Sequence, residues 1–287
     1  VKKKHDIYYY LFIAPCVLAL CMAVFVPFIF GIWYSFTNWN GIDTPAFIGL
    51  TNYTHLFHDS QFWLSLLFTA KFALISIVSI NIIGLALALV VTQKIKTSSF
   101  LRTIFFMPNL IGGLILGFIW QFIFIKAFGA VGDLVGASIL KDWLATTETG
   151  FWGLVILMSW QMAGYIMIIY IAHLEALDYE LLEAAAIDGA GVWQKLRHIV
   201  FPLIVPAFTV SVFMTLSGSF KLYDQNLSLT AGGPYNSTQM VAMNIYNTAF
   251  GENMMAYAQS KAIIFFIIVT IMSLVQVYVG KKQEVEA

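Results

Sequence analysis

Residues 174–202 read LEALDYELLEAAAIDGAGVWQKLRHIVFP, the most polar stretch of an otherwise apolar chain. Five of the fifteen acidic residues lie here: Glu175, Asp178, Glu180, Glu183 and Asp188. Asp178 is placed to N-cap a helix, with Glu180 in the first turn, where the helix dipole favours negative charge. Leu181, Leu182, Ala184, Ala185, Ala186 and Ile187 supply helix propensity and an apolar face. Asp188-Gly189 ends that helix, the glycine accepting the left-handed capping conformation. A second helix is expected from about Gly191, with Val192, Leu196, Ile199 and Val200 inward and Lys195, Arg197 and His198 toward water. Pro202 marks the start of the next apolar run. The spacing therefore predicts helix, turn, helix.

Outward from this loop the chain changes character. Of 287 residues, 60% are hydrophobic, 16% aromatic and 10% charged, with a net charge of +0. An average soluble domain carries about 25% charged residues. Too little polar surface is available to coat a water-soluble globule, so a soluble enzyme, a disordered chain and a nucleic-acid binder are excluded. A spanning helix needs roughly 20 apolar residues. Six runs qualify, at about 11–34, 64–91, 104–125, 151–172, 203–220 and 262–280. The fifth is the shortest and contains Pro206. The first exceeds the apolar core of a signal peptide and reads as a span. The expected fold is an all-α integral membrane protein of six helices, one domain over 1–287.

Basic residues set the expected orientation. Lys2, Lys3, Lys4, Lys94, Lys96, Arg102, Lys195, Arg197, Lys281 and Lys282 fall on one side, which places both termini and the 174–202 loop in the cytoplasm. Lys126, Lys141, Lys221 and Lys261 are assigned to external segments. Cys16 and Cys21, five apart on one helix, point about 140° apart and do not pair. His55, His58 and Asp59 have metal-like spacing without further ligands, and a wet surface cluster is the expectation.

None of the six runs contains Asp or Glu. Ion-coupled transporters usually need an intramembrane carboxylate or a broken-helix ion site, so their absence points away from ion coupling. No G-x-x-x-x-G-K-[ST] element is present, so the chain does not hydrolyse nucleotide through a P-loop. The driving force must come from another polypeptide, and 174–202 is the segment able to receive it. A solvated amphipathic hairpin at the bilayer surface has the same composition.

The order and spacing of Glu183-Ala184-Ala185, Asp188-Gly189-Ala190, Ile199 and Pro202 resemble the EAA loop of ABC importer permeases. Phe47–Tyr53 with Phe62-Trp63 resembles the first external loop of sugar-importer permeases. Arg102–Pro108 with Gly117–Trp120 resembles their third span, and Leu229–Pro234 resembles their LT-x-GGP element. The closest likeness is to the maltose-type first permease. The resemblance implies the type I importer permease fold, with the first short helix of the loop acting as a coupling helix. It implies, as partners, a second related permease, two cytoplasmic ATPases and an external solute-binding protein. ATP and Mg would sit on the ATPases, with no cofactor on this chain. Membrane lipid surrounds the spans, in a bacterial or archaeal cytoplasmic membrane.

The resemblance further implies that spans four and five line a sugar path. Candidates are Trp160, Gln161, Gly164 and Tyr165 in span four and Ser217, Gly218 and Ser219 in span five. Interhelical packing uses the same Ser and Gly residues. Asn81 and Asn109 read as structural, and Lys221 and Asp224 as an interfacial pair or a binding-protein contact. A neutral saccharide is the expected cargo, since no basic cluster lies in the spans. The competing reading is a self-sufficient secondary transporter or channel for a small polar solute.

Overall fold

The computed structural model describes residues 7–93, 96–137 and 140–283. Lys2, Lys3, Lys4 and Lys94, used above for orientation, lie outside these residues. Among the described residues the regular secondary structure is helical, apart from one antiparallel bridge between Thr37 and Phe47. The helices are α1 (Tyr9–Tyr34), α2 (Thr51–Phe57), α3 (Ser60–Val91), α4 (Ser98–Phe106), α5 (Gly113–Val135) and α6 (Thr147–Glu175). They continue as α7 (Tyr179–Ile187), α8 (Val192–Leu203), α9 (Val205–Phe220), α10 (Asp224–Leu229), α11 (Val241–Tyr246) and α12 (Met255–Gln283). Five of these, α1, α3, α5, α6 and α12, are long and apolar enough to cross a bilayer. The number is six if the bent pair α8–α9 counts as one span.

Two expected spans differ in shape. The third, expected to be continuous over 104–125, is broken. A tight turn at Met107–Leu110 separates α4 from α5, and Ile111 is extended (φ −81°, ψ 128°). Pro108 explains the break: it has no N–H to donate, and its ring clashes with the preceding turn. The fifth is short because it is one arm of a 66° bend at Ile204, between Pro202 and Pro206. In α1 a widened π-turn at Cys21–Phe25 leads into Pro27, relieving the backbone where the proline cannot donate.

The chain divides into two compact units. The first comprises 1–62 and 245–266. Here Trp39 stacks on Tyr34 with ring centroids 4.3 Å apart. Asn52 Nδ2 donates to the carbonyls of Ser35 and Thr37, both at 2.8 Å, pinning the loop that follows α1. The N–H of Ala256 donates to Trp39 O at 2.8 Å, tying the start of α12 to the same loop. Helix α12 begins at Met255, ahead of the expected 262. Lys261 therefore lies inside a helix, 3% exposed, rather than in the loop before it.

The second unit comprises 63–244 and 267–287, with α6 at its centre. Phe72 and Ile80 of α3, Leu116 and Phe124 of α5, and Leu154, Leu157 and Ile166 of α6 are fully buried together. Close approach depends on small residues. A Cβ on Gly164 would stand 1.8 Å from Phe105 O, and one on Gly117 would stand 1.8 Å from Ser228 Oγ. Helices meet this closely in membranes because hydrocarbon offers no rival contact for a polar backbone.

Candidate functional site

The 174–202 loop folds as its residues dictate. Asp178 Oδ1 accepts the N–H of Glu180 at 3.0 Å and opens α7. At the other end the N–H groups of Asp188, Gly189 and Ala190 donate to Ala184, Ala186 and Ala185 carbonyls. Gly189 adopts φ +80°, the left-handed conformation that favours glycine. Its neighbourhood is open: an added Cβ would meet no heavy atom within 4 Å. Gln194 Oε1 then accepts the N–H of Gly191 at 2.8 Å and restarts the helix as α8.

Asp188, Gly189, Ala190, Gln194, Lys195, His198 and Ile199 line a shallow concavity of about 320 Å³. Glu183 and Ala184 are exposed on α7, and Ala185 is half-buried. Pro202 lies apart from that concavity, on the wall of a separate groove formed with α3. Val192, expected to face inward, is 83% exposed, and Ile187 and Trp193 are 87% and 80% exposed. The short α8 start puts Val192 on its first turn, before the helix reaches any neighbour. Sequence reasoning overlooked Trp193. The signal available was a large aromatic two residues beyond a glycine in a polar loop. The loop hangs from α6, whose terminal Glu175 Oε1 is 2.5 Å from Arg102 Nη2 of α4.

The span-four candidates have divided roles. Trp160 is 44% exposed and meets Trp120 edge-on at 5.6 Å. Both line a cavity of about 860 Å³ with Ser79, Ser159, Phe105 and Gly164. Gly164 is buried there, in contact with the α4 backbone. Gln161 is a bridge: its Nε2 donates to Ile111 O at 3.3 Å, and its Oε1 accepts from Gln225 Nε2 at 2.9 Å. Tyr165 packs against the core. Of the span-five candidates, Ser219 is fully buried and donates to Thr215 O at 2.7 Å. Ser217 and Gly218 are half-buried, with Met158 and Met162 against Gly218. None of these three lines the Trp160 cavity.

Two polar clusters went unread in the sequence. In the first unit Asp59 Oδ2 meets Lys261 Nζ at 2.8 Å and accepts the Tyr257 hydroxyl at 2.8 Å, while Oδ1 accepts the N–H of Phe62. Burial works to raise the Asp59 carboxyl pKa. The Lys261, Phe62 and Tyr257 hydrogen bonds outweigh it, holding the pKa below the ordinary 3.8. Asp59 is thus no part of a wet cluster, and no metal-ligand group occurs among the described residues. In the second unit Tyr170, Asn81 and Ser211 form a buried network. No ion pair joins Lys221 to Asp224 among the described residues.

Long apolar helices, a broken third span, a bent fifth and a polar helix-turn-helix loop define a multi-pass membrane transport component. The model of the family described as "Binding-protein-dependent transport system inner membrane component" matches residues 80–285. This chain belongs to that family. It is 58% identical to the probable starch degradation products transport system permease protein AmyD of Thermoanaerobacterium thermosulfurigenes, over 99% of this chain and 97% of that one. It is 34% identical to the multiple sugar-binding transport system permease protein MsmF of Streptococcus mutans, over 95% and 94%. Its fold is shared with a chain of a bacterial ABC transporter involved in import of the acidic polysaccharide alginate. The TM-score is 0.85 at 19% identity, covering 97% of this chain and 96% of that one.

Proposed function

We propose that this chain is the permease of an ATP-driven, binding-protein-dependent importer of a neutral oligosaccharide. The observation that carries this reading is the 58% identity, over 99% of the chain, to a permease named for starch degradation products. In this reading the whole of 1–287 is one permease domain of six spans with cytoplasmic termini. It pairs with a second related permease and with two ATPases that hold ATP and Mg, and an external solute-binding protein delivers the sugar.

Residues Glu183, Ala184, Ala185, Asp188, Gly189, Ala190, Ile199 and Pro202 then belong to the ATPase-coupling segment. The geometry supports the role. Exposed Glu183 offers a charged anchor, the small residues permit close backbone approach, and Ile187, Val192 and Trp193 give apolar area to bury. Closure of the ATPases would displace α7. The Arg102–Glu175 pair would carry that motion to α4 and α6, where Trp160 faces its cavity.

The test is reconstitution of the full assembly in proteoliposomes with labelled maltodextrin. Accumulation should require ATP and the binding protein. Gly189→Asp should abolish coupling through backbone strain and added charge, with the spans intact. Uptake by this chain alone, driven by an ion gradient, would overturn the proposal.

A further inference from the structure

A groove of about 730 Å³ opens on the second unit where α3 and α6 meet the α8–α9 bend. Its walls are hydrocarbon, with Ile77, Val78 and Ile82 on one side and Val205 and Phe208 on the other. Two polar side chains reach its depth, and both are already satisfied. Asn81 Oδ1 accepts from Tyr170 (2.8 Å) and Ser211 (2.5 Å), while Asn81 Nδ2 donates to Ile77 O (2.7 Å). A sugar needs fixed donors and acceptors along its length. This wall offers none that is unsatisfied, and it selects an alkyl chain.

The mouth has the opposite chemistry. Arg197 is the charged lining residue, with the amide of Gln283 lining the same groove. Among the described residues Arg197 has no carboxylate partner. A guanidinium at the open end of an apolar groove matches a phosphate, which it can bind through two parallel hydrogen bonds. From Ile77 to Leu85 the α3 wall covers about 12 Å at 1.5 Å per residue. That fits within one leaflet's hydrocarbon, about 15 Å.

We propose that this groove holds an acyl chain of an anionic phospholipid, whose phosphate is bound by Arg197 and Gln283. Basic pockets between membrane helices recognise anionic headgroups on this principle. The α8–α9 bend at Ile204 forms one wall, so a seated lipid braces it. The inference needs neither the sugar nor the sidedness proposed above, and its test is separate from transport.

The test is native mass spectrometry on the protein purified with the subunits that accompany it. It would be equilibrated in detergent with equal phosphatidylglycerol and phosphatidylcholine. One tightly retained phosphatidylglycerol per chain is expected. Arg197→Gln should lower its occupancy at least five-fold, and Arg197→Lys should keep most of it. Val205→Trp, which fills the apolar wall, should lower it as well. Should that variant fail to assemble, the Gln and Lys variants decide. Equal retention of both lipids, or unchanged retention in Arg197→Gln, would overturn the proposal. So would displacement by inorganic phosphate or by a maltodextrin, since the groove would then be a free-anion site or part of the solute path.

Discussion

Lys261 Nζ lies 2.8 Å from Asp59 Oδ2, with 3% of the lysine side chain exposed. The ammonium also donates to Thr248 Oγ1 at 2.9 Å and stands 4.7 Å over the Tyr257 ring. These contacts join the residue before α3 to the first turns of α12, within one compact unit. Removing one partner leaves the other charge buried and uncompensated, at a cost of about 3 kcal/mol. Lys261→Met should therefore lower the thermal midpoint in detergent markedly. The Asp59→Asn/Lys261→Met double variant should recover part of the loss. A midpoint unchanged by the single substitution would show that the pair does not hold these segments.

The same pair sets a pH dependence. The Asp59 carboxyl is held below its ordinary 3.8 in the folded protein. A depressed carboxyl contributes stability that is fully present above the unfolded-state value and is lost as pH falls through the folded-state value. Wild-type stability should thus fall below about pH 4 more steeply than that of Asp59→Asn. Thermal midpoints measured from pH 3 to 6 would check this (parallel curves contradict it).

At Gly164 two helices meet so closely that an added Cβ would fall 1.8 Å from Phe105 O. That atom is backbone and cannot swing aside. Gly164→Ala should cost about 3 kcal/mol or more, the upper range for overpacking. Melting of the purified variant measures it. A loss below half a kcal/mol would mean that α4 and α6 part easily at this point.

Tyr170→Phe removes one hydrogen bond to Asn81 while Ser211 remains as a donor to the same oxygen. The expected loss is about 1 kcal/mol. Asn81→Leu should cost more, because it removes the acceptor shared by both hydroxyls and leaves the Tyr170 hydroxyl only Ser211 Oγ, 3.0 Å away. The order of the two thermal midpoints is the readout, and the reverse order would contradict the network.

Trp160→Ala removes an exposed aromatic from the span-four cavity without cutting a hydrogen bond that holds α6. Transport of labelled oligosaccharide by the assembled complex should fall several-fold, with assembly intact by size-exclusion chromatography. Unchanged uptake would remove this surface from the solute path.

Much of this protein was legible before any coordinates. Apolar runs of spanning length fixed the class because no soluble packing can bury them. The helix ends of the 174–202 loop were readable residue by residue. Asp178 and Gly189 act on neighbours within a few positions, so their capping is written locally. Pro108 and Pro206 carried the breaks, but whether a proline kinks a helix or divides it depends on the packing around it. That is why the third span was read as continuous. The exposure of Val192 and Trp193 was hidden for a related reason: an apolar residue is inward only where something stands opposite it.

Tertiary structure alone decided the pairings across long sequence distance. Lys261 reads as an isolated charge until Asp59, far earlier in the chain, is set against it. Asn81, Tyr170 and Ser211 are unremarkable polar residues on three separate runs until those helices pack. Gly164 lines the Trp160 cavity and also admits the Phe105 carbonyl, a contact that only the packing of α4 on α6 creates. Sequence by itself determined what each segment is, because propensity, capping and hydropathy are local. Which polar groups face each other was settled by the fold, because a buried polar atom must find its partner wherever the chain brings one.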